Sequence, residues 1–269
     1  MTCFTHSRPA PPHGTLIATR IPESLMDVGG KNHSPSTSGG KAGKPVPDLL
    51  VPESVATWGP RRVPVPYAAH WTGEKVTASR VVSRVDGAGI RYVDETAADR
   101  DAFGVLWGRL ANAPGAGRPD FRSLHPARQR HTQAERLCQV CAKPASHNRD
   151  GWLFLVNEDE ASHDAGGQHT THDGTLTTKP PVCLPCARLA VQHCPHLTHP
   201  LGVRARRPRI WGVFGTFYTP TPEGRLRPHH DHHLPYGHRA LAWFLASQLV
   251  TELKRCTTVD LTAEFRALS

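Results

Sequence analysis

Cys138-Gln139-Val140-Cys141 and Cys183-Leu184-Pro185-Cys186 are two Cys-x-x-Cys pairs, and most of what this sequence predicts follows from them. A Cys-x-x-Cys segment places two sulfur atoms on one side of a tight turn, so two such turns supply four sulfur ligands. Four thiolates are a ligand set of tetrahedral structural Zn²⁺ sites. The sequence therefore predicts that Cys138, Cys141, Cys183 and Cys186 bind one Zn²⁺ ion.

Buried structural thiols and a redox-active pair are the alternatives to a metal site. A redox-active pair follows a strand and opens a helix, and the second pair fits that context in part. The chain has seven cysteines, and the occurrence of four of them in two such pairs favours a metal. Four thiolates complete the tetrahedron and leave no position for a reactive water, so the predicted role is structural.

The residues near the cysteines predict the order of elements in the zinc module. Gly151–Val156 is a strand, residues 157–173 form an acidic loop that contains histidine, and Leu184–Cys194 is a helix that ends before Pro195. A knuckle, a hairpin and a helix whose first turn carries the second cysteine pair resemble the treble-clef class of zinc domains. A zinc ribbon is the alternative, and it requires less helix over residues 184–194.

Composition divides the chain into three parts. With 38% hydrophobic residues, 25 Pro and 23 Gly, the chain can build only a modest core, and we expect an α+β protein. Residues 1–50 are rich in Pro, Ser, Thr, Gly and His and are predicted to be a disordered leader. We expect residues 51–125 to form a small α+β unit and residues 126–269 a zinc-stabilised α+β domain.

The unit at 51–125 is predicted to contain a hairpin and a helix. Lys75–Val85 and Ile90–Val93 are β-branched runs on either side of a Gly-containing turn. Thr96 can cap a helix over 96–111, and the apolar spacing places Phe103 and Trp107 on its buried face.

Four further elements are expected in the C-terminal domain. They are a short basic helix at 126–137, a strand at Ile210–Tyr218, an amphipathic helix at Tyr236–Arg255 and a terminal helix at 260–268. The arginines of the basic helix, Arg128, Arg130 and Arg136, either face phosphate or form a solvated helix face.

The positive charge of the chain suggests an anionic partner. The formal net charge is +9, and most of the positive charge comes from arginine, whose planar guanidinium suits phosphate. A GC-rich genome that encodes Arg in place of Lys is the alternative explanation. Clustered side chains before the predicted strand at 210–218 are the candidate phosphate contacts for DNA or RNA: Arg204, Arg206, Arg207 and Arg209. Protection of an edge strand by charge is the other explanation of this cluster.

Two further groups of residues could bind metal. Cys194 and His196 follow the second cysteine pair closely, although Cys194 also fits a small buried residue on the same helix. The tract His229-His230-Asp231-His232-His233, with His238 nearby, carries several metal-ligating side chains. Adjacent histidines of an extended surface loop point in opposite directions, so we expect this tract to bind metal only adventitiously.

A metal-dependent endonuclease of the HNH type is the enzymatic alternative. HNH enzymes use the treble-clef frame, and His163-Asp164 precedes Cys183 at about the spacing of their general base. The sequence departs from their pattern, because residues 177–181 lack the family's Asn and Ala187 stands where a His often follows the second pair.

The segment at about 126–218 is similar to uncharacterised, arginine-rich actinobacterial proteins, some of which are labelled phage-related. The similarity rests on the motifs RLCQVC, GWLFLV, PPVCLPCARLA and CPHL as they stand here. It covers about a third of the chain and implies a zinc-binding fold without implying an activity.

The cellular compartment is predicted from cysteine usage and hydrophobicity. An odd number of cysteines with metal-type spacing fits a reducing cytoplasm, and neither a membrane-spanning run nor a secretory signal is recognisable. We therefore expect a cytoplasmic, non-enzymatic zinc-binding module that contacts nucleic acid through its arginines. A protein–protein adaptor is the second alternative.

Overall fold

The structure is a computed structural model that describes residues 55–157, 162–163, 170–194, 196–266 and 268, and these form a mixed α+β fold made mostly of strands. The predicted leader at 1–50 lies outside the described residues. In chain order, the strands are β1 Ala56–Trp58, β2 Val63–Val65, β3 Ala69–Trp71, β4 Val81–Ser83, β5 Ile90–Tyr92, β6 Leu106–Trp107, β7 Pro119–Leu124, β8 His147–Asn148, β9 Gly151–Asn157, β10 Ser162–His163, β11 Thr170–Thr171, β12 Leu176–Thr177, β13 Pro200–Ala205, β14 Arg209–Pro220, β15 Leu226–Pro235, β16 Phe244–Glu252 and β17 Cys256–Val259. The α-helices are α1 Pro126–Ala134, α2 Leu184–His193 and α3 Leu261–Arg266, and 3₁₀ helices lie at Ala97–Asp99 and Arg239–Trp243.

The larger sheet has five strands, with β12, β16, β14 and β15 in that order and β6 also paired with β16. Since β14 occupies one side of β16, β6 and β12 share the other side. Between them, the side-chain amide of Gln129 from α1 takes the place of a strand. Its Nε2 donates to the Leu249 carbonyl oxygen at 3.0 Å, and its Oε1 accepts the Leu249 N–H at 2.9 Å. The helix thus completes the hydrogen bonding of the sheet edge.

The smaller sheet has the order β17-β13-β9-β8 and separates two parts of the core. Successive side chains of a strand point to opposite faces. Leu153 and Leu155 of β9 therefore pack in the cluster that contains the four paired cysteines, whereas Phe154 and Val156 pack with Val203 on the other face. One face of this sheet thus forms the floor of the cysteine cluster.

Residues before and after position 125 are closely connected. β6 joins the larger sheet through β16, and β3 pairs with β7 directly before α1. Arg128 of α1 forms a buried ion pair with Glu74, at 2.6 Å between Nη1 and Oε1. The division into domains at 125 stays a prediction, and these contacts cross it.

Several predicted elements are confirmed. The hairpin before residue 95 is present as β4 and β5, although β4 is shorter than the predicted strand. The basic helix, the strand at 151–156, the helix after the second cysteine pair and the strand at 210–218 correspond to α1, β9, α2 and β14. The terminal helix is α3, which is shorter than predicted.

The predicted helix over 96–111 is wrong. Thr96 does cap a helix, but it is a 3₁₀ turn that ends at Asp99. The Asp101 side chain then accepts the N–H of Val105 at 3.0 Å, and Gly104 adopts a left-handed φ of 77°, so the chain turns. Trp107 is buried as expected, whereas the Phe103 side chain is exposed.

The predicted helix over 236–255 is also wrong, because residues 239–243 form a 3₁₀ helix and residues 244–252 form the interior strand β16. A strand with neighbours on both sides and cover on both faces has no clear alternation, so its apolar residues can imitate helical spacing. The predicted histidine loop is likewise a strand, β15, at one edge of the larger sheet.

No helix in the described part of the chain has the length and hydrophobicity needed to cross a bilayer.

Candidate metal centre and basic surface

The first cysteine pair lies in a tight turn between α1 and β8. The Cys138 N–H donates to the Lys143 carbonyl oxygen at 2.7 Å, and the Ala142 N–H donates to the Cys138 carbonyl oxygen at 2.8 Å. Ala142 closes the turn with a φ of 57°, in the left-handed region that L residues seldom adopt. This turn places the Cys138 and Cys141 side chains on the same side.

The second pair lies at the start of α2. Cys183 is the N-cap residue and Cys186 lies in the first turn, where the helix dipole favours negative charge. Pro185 is tolerated there because the first N–H groups of a helix have no partner within it. The two turns are tied by the Gln139 N–H, which donates to the Pro181 carbonyl oxygen at 3.1 Å.

The four sulfur atoms form a compact cluster. All four Sγ atoms lie within 4.8 Å of one another, and the Cys141 and Cys183 Sγ atoms are 3.7 Å apart. A tetrahedron with metal–sulfur bonds of about 2.3 Å has edges of about 3.8 Å, so the spacing suits a bound ion. Cys138, Cys141 and Cys186 are buried, and Cys183 is half-buried. These four residues can therefore hold a metal ion.

The thiols of the cluster compete for protons. Hydrogen bonds from neighbouring thiols, Cys138 first, lower the pKa of Cys183 to about 4. Hydrogen bonding with Cys138, together with burial, raises the pKa of Cys141 and of Cys186 above the usual value of a thiol. A bound dication removes this competition, because it stabilises all four groups as thiolates.

The cluster lies in an apolar part of the core. Apolar side chains enclose it: Val55, Val140, Leu153, Leu155, Val182 and Ala187 are buried, and Leu184, Leu261 and Phe265 are half-buried. Four protein ligands fill a tetrahedral ion, so no open position for water remains. The arrangement can therefore stabilise the fold.

The prediction that Arg204 contacts phosphate is wrong. Its side chain on β13 is only 1% exposed and makes two hydrogen bonds of 2.9 Å to the Glu264 carboxylate on α3. It also donates to the Gly151 carbonyl oxygen at 3.1 Å. Arg204 therefore links α3 to the smaller sheet and is withdrawn from the surface.

Arg206, Arg207 and Arg209 are exposed, as a phosphate contact requires. Arg206 and Arg207 lie in the turn between β13 and β14, which are both interior strands of their sheets, so protection of an edge strand does not explain them. The Arg209 Nε donates to the Glu252 carboxylate at 2.7 Å. Binding of nucleic acid by these residues stays a prediction.

The turn after β16 brings two further cations to this place. The Arg206 N–H donates to the Arg255 carbonyl oxygen at 3.3 Å, and the Arg207 N–H donates to the Lys254 carbonyl oxygen at 3.1 Å. We call Arg206, Arg207, Arg209, Lys254 and Arg255 the basic surface. Sequence reasoning missed Lys254 and Arg255, because a helix was predicted at their positions. The available signal was the pair of β-branched residues Val250 and Thr251, which favour a strand. A strand ending there would have placed Lys254 and Arg255 in a turn.

The other candidate sites are not assembled. Within the described residues, only the four paired cysteines bring three or more metal-ligating atoms close together. Cys194 is half-buried at the end of α2, and the neighbouring His196 is exposed. The tract at 229–233 lies on the edge strand β15, where the Asp231 carboxylate accepts a hydrogen bond from the Thr216 hydroxyl at 2.6 Å.

The residues proposed for an HNH active site are described only in part. His163 lies on β10, which pairs with β11, so this position belongs to a short hairpin. Asp164 lies outside the described residues.

In the described chain, the first cysteine turn, the β8–β9 hairpin and a helix carrying the second pair follow one another. The treble-clef assignment and the similarity to actinobacterial proteins stay predictions. Comparison of the chain with protein families, with curated proteins and with solved structures found no match.

Proposed function

We propose that this protein is a non-enzymatic, zinc-stabilised binding protein that contacts the phosphate backbone of DNA or RNA through its basic surface. The observation that carries the proposal is the gathering of cations from two distant segments, 206–209 and 254–255, at one exposed place.

Zn²⁺ is the ion that suits the cysteine cluster best. A set of four thiolates is soft and tetrahedral, which excludes Mg²⁺ and Ca²⁺ and favours Zn²⁺ or iron. A structural Zn²⁺ ion needs only a closed site, and the buried cluster meets this requirement. Zinc would then link α2 to the turn after α1 and support the smaller sheet that ends beside the basic surface.

The charges of the basic surface favour an anionic partner. The side chains of Arg206, Arg207 and Arg255 have no carboxylate partner among the described residues, whereas Arg209 and Lys254 both contact Glu252. Guanidinium groups without an internal partner can form paired hydrogen bonds with phosphate oxygens. The net charge of +9 would steer such a partner toward the protein.

Backbone contact rather than base reading is the expected mode. The basic surface consists of turns and strand ends, and no helix or two-stranded ribbon of the described chain carries these cations into a groove. Contacts to phosphate alone position a protein without selecting a sequence. Binding is therefore expected to depend strongly on salt and weakly on sequence.

Salt-dependent binding to a labelled oligonucleotide tests the proposal. Each lost phosphate contact should reduce the slope of log K against log salt by about 1, so Arg206→Ala and Arg207→Ala should each weaken binding and flatten the slope. Arg225→Ala is the control, since Arg225 is exposed at the far end of β14, roughly 35 Å away at about 3.3 Å per residue. Binding that does not change with salt or in the two arginine variants would contradict the proposal. The absence of any oligonucleotide binding would also contradict it and would favour a protein partner.

A further inference from the structure

A cleft lies at one side of the basic surface. It is open to solvent, has a volume of about 380 Å³ and is lined by Asp173, Gly174, Arg207, Glu252, Lys254 and Arg255. We propose that this cleft binds one phosphate group carried by a nucleotide, with Arg207 and Arg255 as the phosphate ligands. This inference rests on the proposed function, since it names the place where one nucleotide would be held.

Three segments of the chain build the cleft, and hydrogen bonds tie them together. The turn at 206–208 is joined to the turn at 253–255 by the two backbone bonds of Arg206 and Arg207. The segment at 173–175 is joined to Leu253, whose carbonyl oxygen accepts the Gly174 N–H at 2.8 Å and whose N–H donates to the Thr175 carbonyl oxygen at 2.9 Å. The backbone that carries the cations is therefore fixed before a ligand arrives, which lowers the entropy cost of binding.

The two carboxylates of the cleft already have partners. Glu252 accepts the Arg209 Nε at 2.7 Å and lies 3.2 Å from the Lys254 Nζ. Asp173 accepts the Cys256 N–H at 2.7 Å. Burial opposes the ionisation of Asp173, but the N–H groups of Cys256 and Arg255 outweigh it and hold its pKa below the usual range.

The guanidinium groups of Arg207 and Arg255 are the two cations of the cleft that these carboxylates do not pair with. Neither Arg207 nor Arg255 has a carboxylate partner among the described residues. Arg255 also has a left-handed φ of 55°, a conformation that non-glycine residues rarely adopt and that recurs at functional sites. Three cations and two carboxylates line the cleft, so a net positive charge remains that a phosphate group can neutralise.

Size and chemistry favour a nucleotide over an inorganic anion. A volume of about 380 Å³ lies within the range of small-molecule sites and exceeds the needs of a single phosphate. The Glu252 carboxylate beside the cations can accept further hydrogen bonds. The sugar hydroxyl and ring N–H groups of a nucleotide are donors and can supply them.

Calorimetric titration of the full-length, metal-loaded protein with thymidine 5′-monophosphate tests the proposal, with thymidine and inorganic phosphate as comparison ligands. We expect the monophosphate to bind at least tenfold more tightly than either. Arg255→Gly should abolish this preference without backbone strain, because glycine adopts a positive φ readily. Arg207→Ala should have the same effect, and Arg225→Ala should have none. Thermal unfolding of each variant establishes that it is folded.

The same titrations with a short oligothymidylate distinguish a free nucleotide from one unit of a strand. If the oligonucleotide binds more than tenfold more tightly than the monophosphate and the monophosphate displaces it, the natural ligand of the cleft is one nucleotide of a strand. Equal affinities identify a free nucleotide, and both results support the cleft. Oligonucleotide binding that persists in Arg255→Gly, with no binding of the monophosphate by the wild type, overturns the cleft but leaves the proposed function intact. Oligonucleotide binding that is lost in Arg206→Ala but retained in Arg207→Ala and Arg255→Gly also overturns the proposal for the cleft.

Discussion

Arg128 and Glu74 form an ion pair that is almost completely buried, with hydrogen bonds of 2.6 and 2.9 Å between the guanidinium and both carboxylate oxygens. The Arg128 Nη2 also donates to the Ala69 carbonyl oxygen at 2.7 Å. The sequence favoured a solvated or phosphate-facing position for Arg128. Its burial instead makes α1 a structural link to the residues before position 125.

Removal of one partner of this pair should be strongly destabilising. Glu74→Gln leaves the Arg128 charge buried without a counter-ion, and we expect the free energy of unfolding to fall by about 3 to 5 kcal/mol. Urea unfolding measures the change. Asp86→Asn, which removes the exposed ion pair with Arg84, should leave stability almost unchanged. Equal effects of the two substitutions would contradict a special role of the buried pair.

The same pair predicts a dependence of stability on pH. Burial raises the pKa of Glu74, but the hydrogen bonds from Arg128 and the backbone outweigh it, so the net pKa lies below the ordinary value of 4.5. The stabilisation is therefore present above pH 4.5 and is lost as the pH falls through the lower, folded value. The difference in unfolding free energy between wild type and Glu74→Gln should shrink toward low pH. Metal release in acid affects both proteins, so this difference is the quantity to follow, and one that grows on acidification would refute the assignment.

Gln129 is expected to be essential for the edge of β16. Gln129→Ala removes both hydrogen bonds to the Leu249 backbone and leaves a buried N–H and C=O unpaired, so the cost should be about 2 kcal/mol or more. Gln192→Ala, at an exposed position of α2, is the comparison and should cost little. Chemical denaturation of both variants measures the difference. Equal losses of stability in the two variants would contradict the structural role of Gln129 at the edge of β16.

The cysteine cluster predicts one bound metal ion per chain. Cys183→Ser should lose the ion and lower the unfolding temperature, whereas Cys194→Ser, on the same helix but outside the cluster, should retain it. Elemental analysis of untagged protein checks both variants. A wild-type protein without metal, or a Cys194→Ser variant that loses it, would contradict the assignment.

Arg204 and Arg206 are expected to separate stability from binding. Arg204→Ala leaves Glu264 without its partner and should lower the free energy of unfolding by about 3 kcal/mol. Arg206→Ala should leave unfolding unchanged and weaken oligonucleotide binding. Unfolding and oligonucleotide binding are measured for both variants. An Arg204→Ala protein that is as stable as the wild type but binds more weakly would indicate that Arg204 contacts the ligand.

Local chemistry was sufficient to predict the parts of the fold that depend on neighbouring residues. The spacing of Cys138 with Cys141 and of Cys183 with Cys186 predicted the cluster, because two residues three positions apart meet on one turn wherever that turn lies. The strand at 151–156 and the helix after Cys183 were also predictable, since a continuous apolar run and a proline in the first turn act locally.

Long-range pairing decided the rest. Residues 244–252 have apolar spacing that fits a helix, but β14 on one side and β6, β12 and Gln129 on the other make them a strand. Neither the burial of Arg128 and Arg204 nor the meeting of Arg207 with Arg255 can be inferred from neighbouring residues, because their partners lie far along the chain. The amino-acid sequence alone thus determines the two cysteine pairs, because the geometry within each pair is local. Only the tertiary structure determines which arginines stabilise the fold and which remain at the surface, because that depends on which distant residues folding packs around each side chain.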